Sequence, residues 1–276
     1  MKTEKEAELE KLNRKIKKTV WNAINDYNMI EDGDKIMICM SGGKDSYAML
    51  DILMQIQGAS VFNFDIVAVN LDQKQPGFPE EVLPTYFESV GVDYEIVEKD
   101  TYSIVKEKTP EGKTTCSLCS RLRRGELYTA AERLGCNKIA LGHHRDDIIE
   151  TFFLNLFFAG KIETMPAKYR TNDDRFVILR PLAFVPEEQI VKLLAHRNYP
   201  IIPCTLCGAQ PNLQRQVVKK MIQTWDEKYP GRSTIMFTAL KNISPSHMLD
   251  HSLFDFKNLE SKIQGEINAG KEFEML

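Results

Sequence analysis

The residues with the most evident chemical role form the stretch SGGKDS, residues 41–46. The apolar run IMICM precedes it and predicts a buried strand, and YAMLDILMQI follows it and predicts a helix. Glycines at a strand end let backbone N–H groups approach an anion, and a helix start adds partial positive charge worth roughly 0.3–1 kcal/mol per contact. The spacing is not that of the Walker loop. The stretch still predicts a phosphate-binding loop, with backbone, charge and hydroxyl donors from Ser41, Gly42, Gly43, Lys44 and Ser46.

A second polar stretch, LGHHRDDIIET, begins at the end of the predicted strand NKIALGHH. Ligands bind beyond the carboxyl ends of parallel strands, so we expect this stretch to lie near the phosphate-binding loop. The carboxylates of Asp146 and Asp147 can hold Mg²⁺ against phosphates, because Mg²⁺ prefers hard oxygen ligands. The alternative for Asp146 is a helix N-cap. We interpret His143 and His144 as ordinary strand-end residues.

Two C-x-x-C pairs, Cys116 with Cys119 and Cys204 with Cys207, favour metal binding over chance burial. Such a set can form a Cys₄ zinc site, an iron–sulfur site or a pair of redox thiols, and composition does not choose among them. Cys39 lies inside the first predicted strand and Cys136 at a helix end, so we expect both to be packing residues.

Predicted strands and helices alternate along most of the chain. After an amphipathic N-terminal helix, strands are predicted at 35–40, 65–71, 94–97 and 137–144, and helices at 46–57, 80–90, 119–134 and 146–158. The aromatic residues of the last helix are expected to be buried. Beyond residue 160, RFVILRPLAFV predicts a strand, and PEEQIVKLLAHR and NLQRQVVKKMIQTWDEKY predict helices.

This order predicts an α/β fold, a doubly wound, mainly parallel, Rossmann-like sheet with an N-terminal helix and a C-terminal helical extension. We divide the chain into an N-terminal helix (1–30), a nucleotide-binding α/β domain (31–160) and a C-terminal extension (161–276). The extension holds the second cysteine pair and the expected RNA contacts. The boundary near residue 160 is soft, and a single domain is the alternative.

Composition limits the class of protein. The 276 residues are 43% hydrophobic and 27% charged, as in ordinary soluble globular proteins. No apolar run approaches the roughly 20 residues that span a bilayer, and the charged N-terminus lacks the apolar core of a signal peptide. We therefore expect a cytoplasmic protein without membrane contact. The net charge of −3 argues against a general polyanion binder but permits a local nucleic-acid face.

The SGGKDS stretch resembles the PP-loop of the ATP pyrophosphatase superfamily, whose pattern is SGGxDS, and GHHRDD resembles its GHxxDD segment. The resemblance implies cleavage of ATP between its α- and β-phosphates, with the loop holding pyrophosphate. It implies catalytic roles for Lys44, Asp45 and Asp147, and a nucleotide site completed by Val69, Leu71 and Gly142, the first two beside adenine.

The segment from TTCSLCSRLRRGELY to LGHHRDDIIETFFLN, with PCTLCGAQPNLQR, resembles the tRNA 2-thiocytidine synthetases. The resemblance covers nearly the whole chain. It implies ATP-dependent replacement of the C2 oxygen of cytidine 32 by sulfur, with Mg²⁺ and a [4Fe-4S] cluster held by Cys116, Cys119 and Cys207. Cys204 is the alternative third ligand, and a persulfide on Cys119 or Cys207 is the alternative sulfur carrier. The implied partners are the tRNA anticodon loop, a cysteine desulfurase and a second copy of the chain.

Recognition of unpaired RNA bases combines stacking with backbone charge. The candidate RNA contacts are Arg121, Arg123, Arg124, Lys168, Tyr169, Arg170, Lys219 and Lys220. Competing interpretations are a lysidine synthetase, which needs no cysteine set, and a 2-thiouridine synthetase, which usually carries terminal zinc fingers. A non-catalytic ATP and cluster sensor is the alternative from another class.

Overall fold

The computed structural model describes residues 4–60, 62–109, 116–202 and 214–260. The chain divides into two compact units, Met1–Pro230 and Gly231–Leu276. The boundary proposed near residue 160 lies inside the first unit, whose sheet continues past it. Within the second unit, the described elements are a helix and a short 3₁₀ turn at Pro245–His247.

The described part of the first unit contains a six-stranded sheet in the order β3-β2-β1-β4-β6-β5. All neighbouring pairs are parallel except β5 with β6, which are antiparallel. The strands are β1 (Lys35–Cys39), β2 (Asp65–Asp72), β3 (Tyr94–Glu98), β4 (Lys138–Ala140), β5 (Lys168–Arg170) and β6 (Val177–Leu179). The predicted mainly parallel α/β fold is therefore confirmed.

The helices of the described chain follow the predicted order with small shifts of their ends. They are α1 (Glu4–Asp26), α2 (Lys44–Gln57), α3 (Val82–Val90), α4 (Thr101–Lys108), α5 (Cys116–Arg133), α6 (Arg145–Leu154), α7 (Glu187–Arg197), α8 (Gln214–Lys228) and α9 (Arg232–Ala239). Three of these elements were not predicted: α4, β5 and α9. All three are short, and none carries a clear hydrophobic period.

The predicted burial of the aromatic residues at the end of α6 is wrong. The α-helix ends at Leu154 and continues as one π-helical turn, Asn155–Ala159, which closes on Gly160 in the left-handed conformation at φ 63°. Phe157 and Phe158 are each 53% exposed. The wider π turn changes which side chains face inward, and a helical period read from sequence does not anticipate it.

Two hydrophobic cores lie on the two faces of the sheet. Alternate residues of β1 belong to different cores. Ile36 and Ile38 lie in the first core, and Met37 lies in the second. The first core includes α1, α2 and α7, and the second includes residues of α5. Burying one such side chain stabilises the fold by about 1.5–3 kcal/mol. Side-chain packing on both faces of the sheet therefore holds the strand ends in register.

None of the helices in the described ranges combines the length and the apolar character that a membrane span requires.

Candidate functional site

The loop between β1 and α2 has the backbone conformation that its glycines allow. Gly42 has a φ of 77°, a region that favours glycine, and a Cβ atom there would lie 2.9 Å from the Cβ of Ile202. The N–H of Ile202 also donates to the Gly42 carbonyl at 2.9 Å. Gly43 is the N-cap of α2, and no side chain in the described chain caps this helix end. The start of α2 is therefore suited to an anion.

The two serines of the loop hold its shape. Ser46 Oγ donates to the Gly43 carbonyl at 2.8 Å, and it accepts the Ser41 N–H at 3.3 Å. The Ser41 hydroxyl oxygen in turn accepts the Gly43 N–H at 3.3 Å. These bonds fix the loop before any ligand binds, so a bound phosphate would not have to order it.

Lys44 lies between two carboxylates. Its Nζ is 3.0 Å from Asp45 Oδ2 and 3.0 Å from Glu187 Oε1. Burial lowers the pKa of Lys44, but these carboxylates outweigh it and the net pKa is raised. Glu187 also bonds Lys219 at 2.6 Å, and although burial raises its pKa, the two lysines lower it to about 2. Glu187 was missed from the sequence, where its only signal is an acid in the first turn of α7.

A cleft of about 520 Å³ opens beyond the carboxyl ends of the strands. It brings together predicted residues from seven elements or loops: Ser41, Asp45, Ser46, Val69, Leu71, Arg123, Arg124, Gly142, Asp147 and Tyr169. Arg180, His143 and Ser120 complete the polar part of the lining. Apolar surface comes from Cys39, Met40, Leu127 and Leu141. The strand ends thus converge as the sequence order predicts.

Several predicted RNA contacts lie outside the cleft lining. The Lys168 ammonium group donates to the Asn28 carbonyl, and Arg170 pairs with Asp174 at 3.5 Å on the surface. Arg121 is exposed on α5, and Lys220 is exposed on α8. Of the predicted RNA contacts, Arg123, Arg124 and Tyr169 line the cleft.

Both members of the acid pair bond to protein partners. Asp147 Oδ2 accepts the His144 N–H at 3.0 Å in a capping box, and Asp147 Oδ1 lies 3.1 Å from Arg215. Asp146 Oδ2 accepts the Glu187 N–H at 2.7 Å, which joins α6 to α7. His144 is the N-cap of α6, so the alternative of an Asp146 N-cap is wrong. Asp146 is the second residue of α6, two positions after the N-cap.

A different carboxylate oxygen has no partner. Asp45 Oδ1 is buried without a hydrogen bond from any described residue, and His144 Nε2 lies 3.7 Å from it. An unpaired buried carboxylate oxygen is costly and suits a cation. No group of three or more His, Cys, Asp or Glu side chains in the described ranges forms a complete metal site. Mg²⁺ commonly binds one or two carboxylates together with substrate phosphates, so Asp45 with Asp147 fits that ion.

His143 lies in the cleft as a neutral ring. Burial is the largest cause that lowers the pKa of His143, and the positive charge of Arg180 is the next. Together they lower this pKa to about 4. Its Nδ1 is buried without a hydrogen-bond partner among the described residues. At neutral pH the ring therefore offers hydrogen bonding rather than charge.

Only one of the candidate cluster ligands can be placed. Cys119 is 8% exposed on the first turns of α5, and its Sγ donates to Gln73 Oε1 at 3.4 Å. The next residue, Ser120, lines the cleft, so this end of α5 borders the same cleft as the phosphate-binding loop. The Cys116 side chain, Cys204 and Cys207 lie outside what the structure describes.

Cys39 and Cys136, the two cysteines predicted to serve packing, belong to the second core. Cys136 is buried there, and Cys39 packs against it from β1. Burial raises the pKa of the Cys39 thiol to about 12, so it remains protonated and unsuited to binding a metal. The prediction that these two cysteines serve packing is confirmed.

Comparison with known proteins gives the class first. A family model described as a PP-loop domain matches residues 8–203, so the chain is a PP-loop protein. Among solved structures, the U34-tRNA thiolase NcsA from Methanococcus maripaludis with its [4Fe-4S] cluster is similar, with a TM-score of 0.64 and 21% identity. The match covers 87% of this chain and 81% of that one, and it shows a shared fold.

The particular family follows from closer relatives. The tRNA-cytidine(32) 2-sulfurtransferase of Mannheimia succiniciproducens is 59% identical over 267 residues, covering 95% of this chain and 86% of the relative. The protein of the same name from Actinobacillus pleuropneumoniae is 60% identical over 262 residues, covering 95% and 81%. The chain belongs to the tRNA-cytidine(32) 2-sulfurtransferase family, and the prediction of a sulfurtransferase enzyme is confirmed.

Proposed function

We propose that this protein replaces the C2 oxygen of cytidine 32 in tRNA by sulfur, with ATP activating the base. The names of its relatives support the reaction. The single observation that carries the proposal is the shared cleft. The phosphate-binding loop, the ends of β2 and β4 and the Cys119-bearing end of α5 all border it.

ATP enters this cleft with its triphosphate on residues 41–46 and its adenine beside Val69 and Leu71. Gly142 has no side chain, and this lets its backbone pack closely against the start of α2. A Cβ there would lie 3.2 Å from the backbone of Asp45 and Ser46. The cytidine O2 attacks the α-phosphorus, AMP becomes bonded to O2, and pyrophosphate leaves. Lys44 and the N-terminus of α2 stabilise the charge that builds on the β- and γ-phosphates.

Mg²⁺ would be held by the predicted pair, Asp146 and Asp147, or by Asp147 with Asp45, whose Oδ1 has no hydrogen-bond partner among the described residues. It would offset negative charge on the phosphates. In this proposal Lys44 exchanges part of its pairing with Glu187 for a phosphate oxygen, which its three N–H donors allow.

Sulfur then attacks C2, and AMP leaves with the former O2. A [4Fe-4S] cluster held by Cys116, Cys119 and Cys207 would supply that sulfur at an iron without a protein ligand. Cys204 as third ligand and a cysteine persulfide remain the alternatives. The position of Cys119 supports either route, because the next residue, Ser120, lines the cleft into which the base would bind.

The substrate RNA is the tRNA anticodon loop, with cytidine 32 turned out of its stack into the cleft. Arg123 and Arg124 face that space, while Arg121, Lys168 and Arg170 are proposed contacts to the RNA backbone outside it. A cysteine desulfurase as sulfur source, a homodimer and a cytoplasmic location complete the proposal.

Mass analysis of tRNA nucleosides from a strain lacking the gene tests the product. We expect 2-thiocytidine to disappear and to return with the wild-type gene. Cys119→Ser should fail to restore it, whereas Cys136→Ala, which alters a core cysteine, should restore it. Anaerobically purified protein should also be brown and should release pyrophosphate only when tRNA is present. Undiminished 2-thiocytidine in the deletion strain would overturn the proposal.

A further inference from the structure

Arg180 is a buried cation in the cleft that the sequence analysis did not single out. It follows β6, is 6% exposed and lines the cleft. Its backbone N–H donates to the Ala167 carbonyl at 2.9 Å, and its Nη1 donates to the Pro166 carbonyl. The segment before β5 therefore fixes the plane of the guanidinium group.

The remaining donors of this group are not all matched by the protein. Nε is buried without a hydrogen-bond partner among the described residues. The guanidinium carbon lies 5.3 Å from the centre of the Tyr169 ring, which also lines the cleft. Leaving a buried donor of a charged group unpaired destabilises the folded protein, so the arrangement indicates a ligand rather than a purely structural role.

The strand order separates this cation from the phosphate-binding loop. β6 lies beyond β4, two strands from β1 and three from β2. With neighbouring strands about 4.8 Å apart, Arg180 starts roughly 10 Å from the loop strand and roughly 15 Å from the predicted adenine side. Lys44, the serines and the start of α2 already serve the pyrophosphate. The group left to fill the β4–β6 side of the cleft is the target base.

We propose that Arg180 selects cytosine over uracil by donating two parallel hydrogen bonds to O2 and N3 of the target base, with Tyr169 beside them. This inference rests on the proposed function. Cytosine presents two acceptors at O2 and N3, whereas uracil presents an N–H at N3. Arginine has only donors, so it matches the first edge and opposes the second. Aromatic and guanidinium planes are also the groups on which unpaired RNA bases stack.

The test compares one tRNA transcript carrying cytidine, 3-deazacytidine or uridine at position 32. Initial rates of tRNA-dependent pyrophosphate release are measured with anaerobically reconstituted protein. They give kcat/KM for each transcript. For the wild type we expect 3-deazacytidine, which lacks the N3 acceptor, to lower kcat/KM by about 10- to 100-fold. Because that change is made in the RNA, it does not depend on whether a protein variant folds.

Two Arg180 variants and one control variant complete a cycle with these transcripts. Arg180→Gln should lower kcat/KM for cytidine by about 10- to 100-fold and should make cytidine and 3-deazacytidine nearly equivalent. Its amide oxygen can accept from uridine N3, so the preference for cytidine over uridine should shrink by a similar factor. Arg180→Lys keeps the charge but not the planar pair of donors, and it should lose the preference as well. Arg175→Gln, on the turn before β6, should leave all ratios unchanged.

Affinity for a non-hydrolysable ATP analogue, measured by calorimetry, should be the same in wild type and both Arg180 variants. Weaker analogue binding with unchanged base preference would overturn the inference and assign Arg180 to the phosphates. An equal loss for all three transcripts would also overturn it, because that pattern indicates a structural role. A wild-type protein that releases no pyrophosphate with any transcript would refute the proposed function itself, and the inference with it.

Discussion

Gly42 provides the sharpest test of how the phosphate-binding loop is built. Replacement by alanine places a side chain on a residue with a φ of 77°, which costs about 1–2 kcal/mol in backbone strain. The added Cβ also meets Ile202, at 2.9 Å from its Cβ and 3.0 Å from its Cδ1. Overpacking of this kind adds about 1–3 kcal/mol. We expect Gly42→Ala to lower the free energy of unfolding by about 2–5 kcal/mol.

Gly33 is the matched control, because its φ is 82° and a Cβ there would have no atom within 4 Å. Gly33→Ala should therefore cost only the backbone strain, about 1–2 kcal/mol. Urea unfolding of both variants isolates the contribution of Ile202 as the difference. In an Ile202→Gly background that difference should vanish. Calorimetry should show weaker binding of an ATP analogue by Gly42→Ala and unchanged binding by Gly33→Ala.

The reasoning would be refuted if Gly42→Ala were no more destabilising than Gly33→Ala and kept full affinity for the analogue. That result would mean that the contact with Ile202 does not constrain the loop.

Three further changes test other contacts of the site. Gly142→Ala should weaken ATP-analogue binding at least tenfold, because its Cβ would lie 3.2 Å from the Asp45 backbone, which cannot give way as a flexible side chain can; unchanged affinity would contradict this. Tyr47→Phe removes a hydrogen bond from the hydroxyl to the Pro200 carbonyl at 2.8 Å, and urea unfolding should show a loss of about 1 kcal/mol. Burial raises the pKa of Glu150 to about 7 from its ordinary value near 4.5, so the folded protein retains a proton that the unfolded chain releases. Stability should therefore fall by about 3 kcal/mol as pH rises from 4.5 through 7, and Glu150→Gln should remove that slope; an unchanged slope would disprove the assignment.

The sequence alone determined the parts of the site that are contiguous in the chain. The residues 41–46 combine a strand end, two glycines and a helix start, and local backbone chemistry is enough to predict an anion loop there. The alternating hydrophobic periods likewise fixed the order of strands and helices, and parallel strands bring their carboxyl ends to one edge of the sheet.

Tertiary structure decided which side chains meet at that edge. Glu187 follows the loop lysine by more than a hundred residues yet lies 3.0 Å from it, and Arg180 reaches the cleft only because β6 pairs with β4. The choice of His144 rather than Asp146 as N-cap also depends on where α7 begins. Glu187 is the first residue of α7, and its N–H donates a hydrogen bond to the Asp146 carboxylate. Side-chain contacts between distant segments depend on strand order and packing, and no periodicity within a single segment encodes them.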